Sequence, residues 1–205
     1  MARPREFDEA AALDAAILCF WARGYEATSI RDLTRHMGIT GASLYNAFGD
    51  KRSLYQRALD HYVEHGSVER VSRLEADMAP RQAIAAFFDE IIERSLGDPQ
   101  RKGCLLVNAA VEVAPHDSGF QKIVADVLIQ IEGFFRRCVT AGQRDGSISI
   151  AQSADDLARL LLGLLLGIRV LARARPERDL LEGMLRPAFA LLDCHISGQE
   201  KIPHD

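Results

Sequence analysis

The stretch that decides the fold is TSIRDLTRHMGITGASLYNAFGDK, residues 28–51. Ser29 is a favourable helix N-cap, and Asp32, three positions later, can accept a hydrogen bond from the backbone N–H of the cap. A helix is therefore predicted to begin near residue 30. Gly38 ends it, because glycine readily adopts the left-handed conformation of a tight turn between helices. Thr40 is then placed to cap a second, short helix.

The second helix begins with a turn of small side chains, Gly41, Ala42 and Ser43, which lets its backbone approach another surface closely. Tyr45 and Asn46 are predicted to face outward. Two short helices joined by a glycine turn form a helix-turn-helix, whose second helix enters the DNA major groove by its N-terminal residues. The segment thus predicts a sequence-reading contact with double-stranded DNA.

Residues 7–55 resemble the TetR family of transcriptional repressors. The resemblance lies in the pattern FxxxxxLxAAxxxFxxxGYxxTSIxDL, followed by GIT and SLYNAFGDK. It implies an all-α fold of about nine helices, with a three-helix DNA-binding domain at residues 1–50 and a helical ligand-binding and dimerisation domain at residues 51–205. It also implies a bacterial, ligand-responsive dimeric repressor that a small molecule releases from a pseudo-palindromic operator.

The resemblance places base contacts on the second helix and phosphate contacts on Tyr45 and Lys51. Asn46 can pair bidentately with adenine, whereas a tyrosine or lysine on phosphate positions the protein without specifying sequence. Many relatives carry longer side chains at Gly41 and Ala42, so base readout is expected to lean on other groups, including Arg3 and Arg5 in the minor groove. The candidate DNA-binding residues are Thr28, Arg31, Thr40, Gly41, Ala42, Ser43, Tyr45, Asn46 and Lys51. Tyr45, Lys51 and Arg31 also fit a purely structural or solvated role.

Composition fits a regulator with a sizeable helical body. The 205 residues are 48% hydrophobic, and the net charge of −4 argues against a protein that coats nucleic acid non-specifically. The apolar run at residues 160–168 is bracketed by Arg159 and Arg169, which leaves it far short of the roughly 20 residues that span a bilayer. We therefore expect no membrane association.

A soluble helix that is apolar on all sides must be covered by two partners, its own core and another subunit. The resemblance implies that the last two helices form a four-helix interface in a homodimer, where the glycines allow close approach. An internal hairpin is the alternative. The candidate interface residues are Leu160, Gly163, Leu164, Gly167, Leu181, Leu185 and Phe189.

The sequence GCLLVNAAVEVAPHD, residues 103–117, resembles a subgroup of the family with a GCLLxNAAxExAPHD signature in the ligand domain. Asn108 and Glu112 lie four residues apart on an otherwise apolar helix. They predict either polar groups in a pocket for an apolar or amphipathic inducer, or buried hydrogen bonds that fix helix packing. The candidate pocket residues are Phe87, Cys104, Asn108, Glu112, Phe120 and Phe134.

Other chemistry is poorly supported by the sequence. The four cysteines are dispersed without a CxxC pair, which fits a reducing cytoplasm and predicts no metal site. Cys104 is either a packed thiol or a reactive one beside Lys102. No Gly-rich phosphate loop or nucleophile elbow supports an enzyme, and no cofactor is predicted. The remaining alternative is a dimeric helical partner-binding protein with weakened DNA recognition.

Overall fold

The structure, a computed structural model, describes residues 7–194, which contain helices and no strand. The α-helices are α1 (Glu9–Arg23), α2 (Ile30–Met37), α3 (Gly41–Phe48), α4 (Lys51–Val63), α5 (Glu69–Asp77), α6 (Pro80–Leu96), α7 (Leu105–Glu112), α8 (Ser118–Asp145), α9 (Ala154–Ala174) and α10 (Arg178–Leu192). A π-helical segment, Glu64–Val68, joins α4 to α5 without a break in helical backbone angles. With α4, this segment and α5 counted as one helix, the described residues hold nine helices, and the prediction of an all-α fold is confirmed.

The N-terminal module consists of α1, α2 and α3, in which α2 packs against both α1 and α3. Asp8 caps α1 by accepting from the backbone N–H groups of Ala10 and Ala11. The buried face of α1, which includes Ala16 and Phe20, packs against α2 and α4. The module is therefore fixed to α4, which carries the chain into the body. Arg3 and Arg5, the predicted minor-groove residues, lie outside the described residues.

The body is formed by α5 to α10, with α8 and α9 as its longest packed pair. A cluster of phenylalanines fills its centre: Phe87 and Phe88 of α6 pack against Phe134 and Phe135 of α8. All four rings are buried. No helix within residues 7–194 is long and apolar enough to cross a membrane.

Turn geometry sets two helix boundaries in the body. The helix α7 begins only at Leu105, after Arg101 and Gly103, which have φ angles of 51° and 74°. The helix α8 continues to Asp145, and Gly146 ends it in the left-handed conformation.

Candidate DNA-binding surface and ligand cavity

The turn between α2 and α3 has the geometry that its residue types predict. Ser29 Oγ accepts from Asp32 N at 3.1 Å, and Asp32 Oδ2 accepts from Ser29 N at 3.2 Å, which completes a capping box. Gly38 ends α2 with φ 66° and ψ 25°. Ile39 is half-buried and packs against the core. These contacts fix the direction in which α3 leaves the turn.

The N-terminal half of α3 forms an open surface. Thr40 Oγ1 accepts from Ser43 N at 3.1 Å and lies 2.9 Å from Ser43 Oγ, so the Thr40 hydroxyl caps the helix and the Ser43 hydroxyl is hydrogen-bonded to it. A Cβ at Gly41 would meet no atom within 4 Å, and Ala42 is exposed. The first turn of α3 can therefore be approached closely by another molecule.

Four of the candidate DNA-binding residues have longer side chains. Tyr45 is 54% exposed, and Asn46 and Arg31 are also exposed. Lys51 Nζ lies 4.4 Å from the centroid of the Tyr25 ring and donates to Glu26 O at 3.3 Å. The cation is thus held at the edge of the module. Whether any of these residues contacts DNA stays a prediction.

Thr28 needs a correction as a candidate DNA contact. Its side chain is only 1% exposed, and its hydroxyl donates to Gly24 O at 2.5 Å. A buried hydroxyl with an internal acceptor supports the start of α2 and does not reach a ligand on the surface.

Two polar contacts join the N-terminal module and α4 to the body. Glu112, the last residue of α7, accepts from Glu26 N with Oε1 at 2.9 Å. Asp117 accepts from Arg52 Nε and Nη2 at 2.6 and 2.9 Å while it caps α8. The Arg52 guanidinium lowers the pKa of Asp117 to about 2. The bidentate pair is therefore ionised throughout the physiological pH range.

Three rings pack at the same junction. The Phe120 centroid lies 5.3 Å from that of Tyr55 and 6.3 Å from that of Tyr25, and the two tyrosine rings are 4.8 Å apart. Phe120 and Tyr55 are 1% exposed, and burial is the main cause that raises the Tyr55 pKa. Phe120, predicted as a pocket residue, instead belongs to this junction between α1, α4 and α8.

A cavity of about 210 Å³ lies between the N-terminal module and the body. It is lined by Trp21 of α1, by the π-helical segment and by residues of α6, α7, α8 and α9. Phe87 and Cys104, two of the candidate pocket residues, line it. Tyr62 O–H donates to Cys104 Sγ at 3.7 Å. A molecule in this cavity would touch the module and the body together.

The other predicted pocket residues lie elsewhere. Asn108 Nδ2 donates to Lys102 O at 3.1 Å, and its Oδ1 accepts from Arg173 Nη1 at 2.9 Å. Asn108 and Glu112 are half-buried and border a separate surface cleft beside Arg173, and their assignment to a pocket or to helix packing stays a prediction. Phe134 is fully buried among phenylalanines and does not line this cavity.

The candidate dimer residues divide between surface and core. On α9, Leu160 and Gly163 are exposed, while Leu164 and Gly167 are half-buried, as is Phe189 on α10. Leu181 and Leu185 are 0% and 6% exposed within the single chain. These two leucines are corrected from interface to protomer core, because the buried face of α10 already packs on α6 and α9. The exposed apolar face is instead continued by Val170 and Leu191.

The sequence analysis did not predict three features of this region. The Arg52–Asp117 pair and the Glu112–Glu26 contact join residues far apart in sequence, and neither has a local motif. The basic lining of the cavity also includes Arg169, which sequence reasoning treated only as the end of an apolar run. No three His, Cys, Asp or Glu side chains of residues 7–194 group as a metal site.

The fold and this surface can now be compared with known proteins. The family model "Bacterial regulatory proteins, tetR family" matches residues 12–58, and the model "Tetracyclin repressor-like, C-terminal domain" matches residues 80–187. The first match covers the helix-turn-helix, and the second covers most of the body.

Whole-chain relatives agree with the family models. The uncharacterized HTH-type transcriptional regulator YezE of Bacillus subtilis (strain 168) is 33% identical over 196 residues, which are 94% of this chain and 100% of YezE. The HTH-type transcriptional repressor ComR of Escherichia coli (strain K12) is 27% identical over 172 residues, 83% of this chain and 82% of ComR. The TetR family regulator CifR, in a cysteine-substituted form complexed with 26 bp double-strand operator DNA, aligns with a TM-score of 0.80 at 33% identity. That alignment covers 92% of this chain and 99% of CifR. The chain therefore belongs to the TetR family of bacterial regulatory proteins.

Proposed function

We propose that this DNA-binding transcriptional regulator is a homodimeric repressor that a small molecule releases from a pseudo-palindromic operator. The observation that carries the DNA contact is the first turn of α3, which is small, exposed and open at Gly41. Such a turn lets the helix backbone enter the major groove. CifR, with 33% identity over nearly its whole length, is complexed with operator DNA.

In this proposal, the side chains around α3 divide into two roles. Asn46 offers an amide for bidentate pairing with adenine, and Ser43 and the small residues before it allow close approach. Tyr45 and Lys51 bind phosphate, which fixes the orientation of α3 without reading sequence. Arg31, which forms no ion pair with the described residues, supplies a further positive charge for the DNA backbone.

The dimer is proposed to form through the exposed face of α9 and α10. A row of small and apolar residues on α9, at positions 160, 163, 164, 167 and 170, recurs at helical spacing and is exposed or half-buried in the single chain. Covering this row in a twofold interface would bury exposed apolar surface. It would also set two modules on successive major grooves, roughly 34–36 Å apart.

Release is proposed to follow from the position of the cavity. Its wall is formed by Trp21 of the N-terminal module, by Gly66 of the π-helical segment and by Cys104 and Val107 at the start of α7. A ligand that favours a different spacing of these elements would move α1 and α4 relative to the body. Because Glu112 of α7 accepts a hydrogen bond from Glu26 N, the same displacement would reach the loop before α2.

The same proposal includes the domain division at residues 1–50 and 51–205, a cytoplasmic location and the absence of catalysis. The relatives are transcriptional regulators, and many titratable groups of the described chain are engaged in helix caps and ion pairs. No reactive set resembling an acid, base and nucleophile is assembled among them. Glu112 and Asp117 in particular are committed to the domain junction.

The test is retention of genomic DNA fragments by the purified protein at two salt concentrations, against excess random DNA. An operator-binding dimer retains a pseudo-palindromic fragment selectively, with affinity that falls as salt rises. Uniform weak retention, or none, would favour the partner-binding alternative, since Gly41 and Ala42 contribute no long side chain to base readout. Measurement of the molecular mass of the protein in solution tests whether it forms the proposed dimer.

A further inference from the structure

The cavity between the module and the body has an unusually basic wall. Arg70 of α5, Arg94 of α6 and Arg169 of α9 all line it. Arg70 and Arg169 are only 7% and 9% exposed, so their guanidinium groups are largely removed from bulk water. Three cations thus converge on a space whose remaining wall is mostly apolar.

The described chain does not neutralise this charge. Glu90 accepts from Arg70 Nε at 3.0 Å, but it also accepts from Arg73 Nη2 at 2.7 Å, so one carboxylate serves two arginines. Arg169 has a single hydrogen bond, from Nη1 to the Ser95 hydroxyl at 3.3 Å. Among residues 7–194, no carboxylate forms an ion pair with Arg94 or Arg169.

The remaining titratable groups of the cavity do not supply the missing counter-ion. Asp14 lies on the opposite wall, in α1, where it contacts His61 Nε2 at 3.2 Å. His65 Nδ1 contacts Glu69 at 3.0 Å. Burial, together with the nearby Arg94 and Arg169, lowers the pKa of Arg70. A buried cation without a counter-ion is unfavourable, and a bound anion removes that cost.

We propose that the cavity binds a small organic carboxylate, with its anionic end at Arg169 and Arg94 and its apolar body against Trp21, Phe87 and Ile91. A planar guanidinium pairs well with a carboxylate and donates two parallel hydrogen bonds to it. The apolar wall suits an aromatic ring or a short alkyl chain. The inference rests on the proposed ligand-released repressor and names the chemical class of its inducer.

A second space extends the anionic end of the site. Arg94 and Arg169 also line a neighbouring cavity of about 330 Å³ beside the loop at residues 97–103, and Trp21 and Tyr62 border both spaces. The two arginines therefore line both spaces. A carboxylate held by them has room for a further substituent in the second space.

Trp21 provides a direct assay, because it is the single tryptophan of the chain and lines both cavities. The full-length protein is titrated with benzoate, phenylacetate and hexanoate, and with the corresponding neutral amides, while tryptophan fluorescence is recorded. We expect at least one carboxylate to bind saturably and about tenfold or more tightly than its amide, as for a charge-assisted hydrogen bond in a buried site. Equal binding within every pair, or no saturable carboxylate binding, overturns the proposal.

The variant Arg169→Met identifies the group responsible. It keeps the length and apolar stem of the side chain but removes the cation, and it should abolish the preference for carboxylate over amide. Without ligand it should unfold at the same or a higher temperature, because an uncompensated buried charge has been removed. Arg136→Met, at an exposed arginine of α8, is the control and should change neither property. Retention of the carboxylate preference by Arg169→Met, or a marked fall in its Tm, contradicts the inference.

The operator assay separates this inference from the proposed function. If a carboxylate both binds through Arg169 and releases the protein from its operator, the inducer class is supported. If a neutral compound releases the protein while no carboxylate binds, the repressor function stands and the carboxylate site is refuted. If a carboxylate binds through Arg169 without affecting operator retention, its role as inducer is refuted.

Discussion

Replacement of Phe120 by alanine should weaken the connection between the DNA-binding module and the body. The Phe120 ring lies on α8 but packs against Tyr55 of α4 and Tyr25, which follows α1. It is 1% exposed, so the substitution removes a whole buried ring from the junction. Phe134→Ala is the matched control, because Phe134 lies on the same helix and is 0% exposed but packs only within the body.

Both substitutions should destabilise the protein to a similar extent. Removal of a buried phenylalanine side chain costs about 3–5 kcal/mol, from the lost transfer free energy and the cavity left behind. For a chain of this size, each kcal/mol lowers Tm by roughly 2–4 °C. A fall of roughly 6–20 °C is therefore expected in each variant. Comparison of the two variants therefore separates the effect of the lost junction contact from the effect of lost stability.

The distinguishing assay is operator binding well below both Tm values. In Phe120→Ala, the module should lose its fixed orientation, and operator affinity should fall while affinity for random DNA is unchanged. Phe134→Ala should retain the ratio between operator and random DNA. The reasoning would be refuted by wild-type operator affinity in Phe120→Ala, or by an equal loss of affinity in the two variants. A Tm change of less than about 2 °C would contradict the calculated cost of the buried ring.

Three further predictions concern the surface, the interface and the ion pair. Lys51→Ala should weaken binding to all DNA sequences and reduce by about one the slope of log affinity against log salt concentration. Tyr45→Phe should weaken binding with no change in that slope. Unaltered affinities at low salt would refute the phosphate assignments. Leu160→Asp should convert the dimer to monomers in sedimentation experiments, because a carboxylate would replace an apolar contact on the exposed face of α9. The pKa of Asp117 lies near 2, below its ordinary value, so the Arg52 pair stabilises the fold above about pH 4 and is lost as pH falls toward 2. As pH is lowered across that range, the urea midpoint of unfolding should drop more in the wild type than in Asp117→Asn. A parallel dependence of the two midpoints on pH would contradict this account.

Local sequence chemistry was sufficient to predict the helix-turn-helix. The Ser29 and Asp32 capping box, the left-handed Gly38 and the Thr40 cap each act within four residues, so the residue types specify the geometry directly. The break before α7 shows the limit of this reasoning. There, the positive φ of Arg101 depends on a loop closed by Asp98, which accepts from Lys102 N at 2.7 Å.

The candidate ligand site was harder to predict. Hydrophobic periodicity shows which face of a helix is apolar, but it does not show which element packs against that face. Glu112 and Asn108 share one side of α7, yet that side meets Glu26 and Arg173 instead of the cavity. In the same way, Leu181 looks like an interface residue until α10 is packed on α6. Such positions depend on long-range packing, which single-sequence patterns do not encode.

The arrangement of α7 explains how occupancy of the cavity can alter the DNA-binding surface. Its first turn contributes Leu106 and Val107 to the cavity wall, and its last residue, Glu112, accepts a hydrogen bond from Glu26 N. A Cβ at Gly24 would lie 3.0 Å from both carboxylate oxygens of Glu112, so the loop before α2 fits closely against this side chain. A short helix moves as a rigid element, and a shift at one end therefore displaces the other. In the proposed release mechanism, the ligand need not reach the helix-turn-helix, because a change in the separation of α7 and α1 at Trp21 would displace the loop before α2, and with it α2 and α3.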